Sequence, residues 1–523
     1  MRLILIIILA LVASSDVPSA QANVSQEAVT AARHLRAWQF EKARKEIAAL
    51  VKANPLSEES RYLQAEINFY DGRYKQVLSG LLGLKDSAVD ENVGALRKLA
   101  ASSLQATKTF LVHPSSEGHF QIYYAPGKDA AIVPLVDEVL EAAYEALGND
   151  LGHRPDAPIR VELLGAASDL AKVSTLTVKE IETTGTIALC KYGKLMVVTP
   201  RATVFGYPWM DTLTHEYVHY VVTQMSHDTV PVWLHEGLAR YLQVRWRGPA
   251  TGKLGSLDEH LLAKGLKNDK MISFDDMHPS MAKLPSQAAA ALAFAEVSTM
   301  VGYIHSKVGD SGLRKVILGV KDGSSARRSV AKVLSKPWKE VERNWITHLK
   351  SSRLQSKRFA ERSRQIRFRK GKGSDDNVGV HAIKNEKAKK YTRLAGMLRA
   401  RGHNAAAAIE YQKALQYAGG SDPLIEAKLS RVYLELGRYQ DAITLAEPLL
   451  DIDEMDPVPP TTLGIARLAL GDAKKASLAF ERALRITPFD SQVRCGLAQA
   501  YKQVGDKNTA RERDACELLQ QVR

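Results

Sequence analysis

At 523 residues the chain is too long for a single hydrophobic core, and length alone suggests three or four domains. Apolar and charged fractions of 45% and 25% exclude wholesale disorder, and only three cysteines, Cys190, Cys495 and Cys516, exclude a disulfide-built scaffold. Lys plus Arg number 72 against 58 Asp plus Glu, a net charge of +14 that invites an anionic partner; no nucleic-acid fold signature accompanies it, so no nucleic acid is expected.

The chain begins with a targeting pattern. Arg2 supplies a positive start, Leu3 to Ala13 form an apolar run, and Ala20-Gln21-Ala22 has the small-x-small form of a signal-peptidase site. The expectation is a signal peptide over 1–22, cleaved before Asn23, and a protein exported to the periplasm or beyond. No later stretch reaches about 18 uninterrupted apolar residues, so the mature chain is expected to be soluble.

Residues 23–113 read as helical. Phe40-Glu41-Lys42-Ala43 and Tyr74-Lys75-Gln76-Val77 place Ala43 and Val77 in matching contexts 34 apart. That period resembles tetratricopeptide repeats, here two degenerate units, with a plain pair of helical hairpins as the other reading.

Beyond Pro114 the texture changes. Phe120 to Tyr124 and Ile159 to Leu164 alternate as strands do, Ala131 to Leu147 has a helical period, and Thr186 to Cys190 with Leu195 to Thr199 flank Tyr192-Gly193 as a hairpin. This order of elements is similar to the first half of zincin domains, whose edge strand pairs with an extended substrate. The hairpin is therefore either such an edge or a structural element.

Next comes His215-Glu216-Tyr217-Val218-His219, and seventeen residues after His219 stands Glu236, within Trp233-Leu234-His235-Glu236-Gly237-Leu238. Histidines four apart share a helix face, so both imidazoles can reach one ion, and Glu216 lies near that ion as a general base. Glu236 on a second helix adds a carboxylate and leaves a position for water. His235 is a rival ligand, but adjacent helical residues point about 100° apart, so only one of the two faces the ion.

The runs Trp209 to His219 and Pro231 to Tyr241 together resemble the peptidase MA-like family of the gluzincin metallopeptidases, over roughly 118–350. The resemblance implies zinc held by His215, His219 and Glu236, with Glu216 as the catalytic base hydrolysing peptide bonds. Thermolysin-like gluzincins carry an aspartate four residues after the ligand glutamate, where this chain has Arg240. Asp211 is open to two readings, orienting His215 or acting as an ordinary helix-start acid. Tyr241, Tyr303 and His305 are candidates for stabilising an oxyanion, or structural residues.

Helices over Ser286 to Val308 and Arg328 to Leu349 close the peptidase region, taken as 114–350. The linker, 351–387, is strongly basic over Arg353 to Lys372, with Ile366 and Phe368 alternating among arginines. It reads as a grip on an anionic envelope surface or as a solvated linker holding one alternating strand.

In 388–523, Gly402, Gly437, Gly471 and Gly505 recur at turns, each followed five residues later by Ala407, Ala442, Ala476 and Ala510. Leu394, Leu429, Leu463 and Leu497 take the first-helix core position. Four units closely resemble tetratricopeptide repeats, which bind peptides or partner proteins. Cys495 and Cys516 are read as two unpaired small core residues, although their near-equal distance from Gly505 allows them to face each other.

The expectation is a multidomain α+β protein, a zincin-like metallopeptidase domain flanked by all-α tetratricopeptide-like repeats. It is expected to be an exported zinc peptidase whose repeats recruit a protein substrate or partner. The alternative is a catalytically idle peptidase-like fold serving as a repeat-based scaffold in the cell envelope.

Overall fold

The computed structural model describes residues 25–521 apart from 85–90, 251, 279, 282–283, 357–358, 360–365 and 370–378. The expected signal peptide and the loop-like stretch 371–377 lie outside the described residues.

Five helices open the chain: α1 (Gln26–Arg36), α2 (Phe40–Ala53), α3 (Glu58–Tyr70), α4 (Tyr74–Gly80) and α5 (Glu91–Thr107). Consecutive helices pair as antiparallel hairpins, and Ala43 and Val77, the residues 34 apart, are both fully buried. Repeat-like packing here follows from that small, apolar contact position.

The sheet comprises β1 (Leu111–Pro114), β2 (Phe120–Tyr124), β3 (Ile159–Leu164), β4 (Ala188–Lys191) and β5 (Lys194–Val198), in the order β1-β2-β3-β5-β4. β2, β3 and β5 run parallel, while β1 and β4 close the two edges antiparallel. Sequence periodicity anticipates the central strands and the hairpin; β1 and the short helices α7 (Ala167–Val173) and α8 (Val178–Thr184) are additions of the structure.

Alternation divides the sheet's two faces. Ile159, Val161, Leu163, Leu195 and Val197 pack with α6 (Val133–Leu151) and α9 (Trp209–Ser226). On the other face Leu164, Met196 and Val198 meet α7, α8 and Phe368. That face also buries Glu162, which accepts from Arg160 Nε at 2.6 Å, Tyr74 Oη at 3.0 Å and Lys194 Nζ at 3.2 Å. Tyr74 belongs to α4, so this network ties the N-terminal helices to the sheet.

After α9 come α10 (Val232–Leu242), α11 (Ser256–Lys267), α12 (Gln287–Lys321), α13 (Ala326–Leu334) and α14 (Trp338–Ser351). The expected helix over Arg328 to Leu349 is two helices, because Ser335 turns left-handed at φ 54° and Pro337 follows. α12, kinked at Gly309, is long and apolar enough to cross a bilayer, but Ala293, Val297, Val301 and Ile304 bury it in the core, as happens to core helices. In the basic linker, Phe368 bridges Thr203, and Ile366 and Phe368 tuck into the cluster on the sheet's outer face. Arg369 donates from Nε to the Thr203 carbonyl at 2.8 Å, so this part of the linker belongs to the fold.

The C-terminal repeats are α15 (Glu386–Ala400) with α16 (Asn404–Tyr417), α17 (Pro423–Glu435) with α18 (Tyr439–Ala446), α19 (Val458–Ala469) with α20 (Ala473–Leu484), and α21 (Ser491–Val504) with α22 (Thr509–Gln521). Gly402, Gly437, Gly471 and Gly505 all have φ between +72° and +82°, the left-handed turn that glycine adopts freely. Ala407, Ala442 and Ala476 are buried as expected, but Ala510 is exposed, and Leu394 is 40% exposed while Leu429, Leu463 and Leu497 are buried. Both exceptions sit in terminal units, which have a neighbour on one side only. A second correction concerns Cys495 and Cys516, which form a disulfide between α21 and α22 with Cα atoms 5.0 Å apart. Antiparallel helices set residues nearly equidistant from their turn opposite each other.

These repeats share the core of the sheet region. Trp209, Leu213 and Tyr217 of α9 lie in one continuous buried cluster with Phe480, Leu484, Leu497 and Tyr501.

Candidate metal centre

α9 starts after Pro208, holds no glycine or proline, and ends where His227 turns left-handed at φ 54°. It is buried on most sides, and His215 and His219 occupy the half-buried strip left open. α10 runs back beside it. Gly237 lets α10 lie close against α12 on its other side: a Cβ there would stand 2.7 Å from the Val297 carbonyl and 2.9 Å from Val301.

This packing brings three of the expected residues together. His215 Nε2 and His219 Nε2 are 3.1 Å apart, and Glu236 Oε2 lies 3.5 Å from each. Donors around a tetrahedral zinc at bonds of 2.0–2.1 Å stand about 3.3–3.4 Å apart. Two imidazoles and a carboxylate with these separations therefore fit the ion, and among the described residues they form the group able to hold a metal.

His235 lies elsewhere. Its Nδ1 is 2.5 Å from His219 Nδ1, on the side of that ring away from Glu236, and its Nε2 is 3.2 Å from Thr223 Oγ1. Burial pushes its pKa down to about 3, so it is neutral at working pH.

Electrostatics are polarised in the absence of a cation. Burial alone would raise the Glu236 carboxyl, but His219 and His215 hold it well below the usual carboxylate range. Burial opposes charge on His219 too, yet Glu236 holds it above its ordinary value. An entering cation takes the place of that proton.

Glu216 is buried, and burial raises its pKa against the nearby imidazoles. The backbone of Cys190, on β4, faces it and works to lower that value. The Val198 N–H donates to the Ile187 carbonyl, so the alternation of an antiparallel pair turns Ile187, Leu189 and Lys191 towards β5, and Ala188 and Cys190 outwards. Among the described residues β4 is thus an edge strand, its outward backbone groups on the side of Glu216.

Three further expectations resolve. Asp211 is occupied by Trp246 Nε1 at 2.8 Å and Arg247 Nη2 at 2.9 Å, so it does not orient His215 and stands as a helix-start acid. His215 Nδ1 faces Gln243 Oε1 instead, at 3.3 Å, a residue the sequence reading missed although it lies seven places after Glu236, two turns along the same face. Arg240 pairs with Asp258 at 3.1 Å. The Tyr241 hydroxyl contacts the Ala250 carbonyl and His305 Nδ1, His305 Nε2 contacts Asp310, and the Tyr303 ring packs beside His348.

Residues 141–351 match the family model of the Peptidase MA superfamily. Among solved structures the chain is similar, at 12% identity, to the Cut9–Hcn1 APC/C hetero-tetramer, with a TM-score of 0.25 over 95% of this chain and 80% of that one. It is also similar, at 12% identity, to yeast LTA4 hydrolase in complex with bestatin, with a TM-score of 0.29 over 79% of this chain and 66% of that one. The span that matches the Peptidase MA superfamily runs from α6 to the end of α14 and contains His215, Glu216, His219 and Glu236, so the family likeness falls on the candidate metal centre itself.

Proposed function

We propose that the protein is an exported zinc-dependent peptidase that hydrolyses peptide bonds with Glu216 as general base, its repeats recruiting a protein substrate or partner. The observation that carries this reading is the coincidence of His215, His219 and Glu236, spaced for one ion, with Glu216 beside them.

A zinc ion bound there supplies Lewis acidity towards water and towards a peptide carbonyl. Glu216, its pKa raised by burial, takes the proton of the attacking water and passes it to the leaving nitrogen. The Cys190 backbone faces that carboxylate, and the outward groups of Ala188 and the Cys190 carbonyl are placed to pair with an extended peptide. Pairing through backbone makes a polypeptide a better fit than a compact small molecule. The Cys495–Cys516 disulfide supports export, because such bonds persist in oxidising compartments.

Metal analysis and proteolysis assays of wild type and Glu216→Gln test the reading. One zinc per chain in both, with hydrolysis lost in Glu216→Gln, is the expected result. Stoichiometric zinc with no hydrolysis of any peptide by wild type would favour the idle-fold scaffold.

A further inference from the structure

An imidazole that offers Nε2 to a cation keeps its proton on Nδ1, and that N–H needs an acceptor to hold the ring in place. Both histidines of the centre find one on α10. His219 Nδ1 stands 2.5 Å from His235 Nδ1, a separation at which the two nitrogens share a single proton. With that proton on His219, His235 carries its own on Nε2, 3.2 Å from Thr223 Oγ1. Thr223 lies one turn beyond His219 on α9, so the relay leaves α9, crosses to α10 and returns. His215 Nδ1 has the Gln243 amide oxygen at 3.3 Å.

Neither acceptor is a carboxylate. Asp211 and Asp258 are held elsewhere, by Trp246 and Arg247 and by Arg240. We propose that His235 and Gln243 are positioning residues that hold His219 and His215 in the Nδ1–H tautomer for the metal, so that neither imidazole is backed by a carboxylate. A carboxylate in either place would push electron density through the imidazole to the cation; an imidazole and an amide do so less, which keeps the ion a stronger Lewis acid at some loss of affinity. This inference rests on the zinc reading above.

The test uses the full-length protein, with zinc affinity measured by chelator competition, the visible spectrum of the cobalt-substituted form, and melting of the metal-free form. His235→Ala is expected to weaken zinc binding about 10- to 100-fold and to change the cobalt spectrum. His235→Asn, whose amide oxygen can stand where Nδ1 stood, is expected to recover most of the affinity, and Gln243→Glu to bind zinc more tightly than wild type. A role in packing alone would lower the melting temperature of His235→Ala and leave affinity unchanged, which overturns the proposal, as would a Gln243→Glu variant that binds no more tightly. If His235→Ala fails to fold, Thr223→Val removes the far end of the relay, and unchanged affinity there overturns it equally. Wild-type protein that binds no zinc overturns the metal reading itself, an outcome distinct from variants that bind as wild type does.

Discussion

The indole N–H of Trp209 donates to the carbonyl of Leu484 at 3.0 Å, joining the first turn of the helix that carries His215 and His219 to the third C-terminal repeat. Two residues earlier the Tyr207 N–H donates to the Ile486 carbonyl at 3.2 Å. The repeats therefore form part of the wall behind the site, and their docking can be probed separately from the chemistry.

Gly206 is the tightest point of that junction. Its φ is +79°, and a Cβ there would stand 2.0 Å from the Ile486 carbonyl oxygen. Gly206→Ala should destabilise the protein by about 1–3 kcal/mol and open the junction to protease. Thermal melting with limited proteolysis checks this; an unchanged digestion pattern would contradict it.

A buried ion pair seals the fourth repeat to the sheet region. Arg494 Nη1 meets Glu512 at 2.5 Å with neither side chain exposed, and Arg494 Nη2 donates to the Ala131 carbonyl at 2.7 Å. Arg511 also contacts Glu512, at 2.8 Å. Glu512→Gln, which strands Arg494 in the core, should cost about 3–5 kcal/mol. Arg494→Met should cost less, because Arg511 still balances Glu512. Chemical denaturation of both variants gives the order, and the reverse order would refute the account.

The recruitment proposal needs a test that respects this docking. Removing residues 388–523 would strip Phe480, Leu484 and Leu497 from the shared core, so the truncated chain is expected to aggregate. Met397 and Ile409 of the first repeat are each about half exposed and touch none of that core. Changing both to Ser should slow cleavage of a native protein substrate and leave cleavage of a short peptide unchanged; equal effects on both would count against recruitment.

Stability should fall from acid towards alkaline pH through one group in particular. Glu296 is fully buried, with Oε1 accepting the Ile272 N–H and Oε2 unpartnered, and burial pushes its pKa from 4.5 up to about 8. Its neutral form favours the fold, so its contribution is complete below the unfolded pKa and is lost as pH rises through about 8. The loss amounts to a few kcal/mol, at about 1.4 kcal/mol per unit. Glu296→Gln should flatten the melting temperature between pH 5 and 9 relative to wild type, and parallel profiles would rule this out.

Gly237 tests the link between packing and metal. Gly237→Val would push α10 from Val297 and Val301 and carry Glu236 away from the histidines. Zinc affinity should drop at least about tenfold, with a destabilisation of about 1–3 kcal/mol. Chelator competition on the folded variant decides it.

Local pattern made several features of this protein legible in its sequence. Period two revealed the strands at Phe120 and Ile159, and period 3.6 the spacing of His215 and His219. The interval of 34 or 35 residues revealed the C-terminal repeats, because each unit repeats the same short-range contacts. Glu236 was legible beside these as a carboxylate in a second helical motif.

What required the folded chain is everything that depends on residues far apart meeting. Asp211 looked poised towards His215 by helical spacing alone, but the turn at Trp246 and Arg247, remote from that pattern, claims its carboxylate. Cys495 and Cys516 were ambiguous as spacings and became a disulfide once α21 and α22 lay antiparallel. His235 was in view as a rival ligand, and only the crossing of α9 and α10 turned its ring to the far side of His219. By itself the sequence determined which candidate ligands and acid–base groups this protein carries. Tertiary packing decided which of them touch, because a side chain's partner is set by how helices cross and not by its place along one of them.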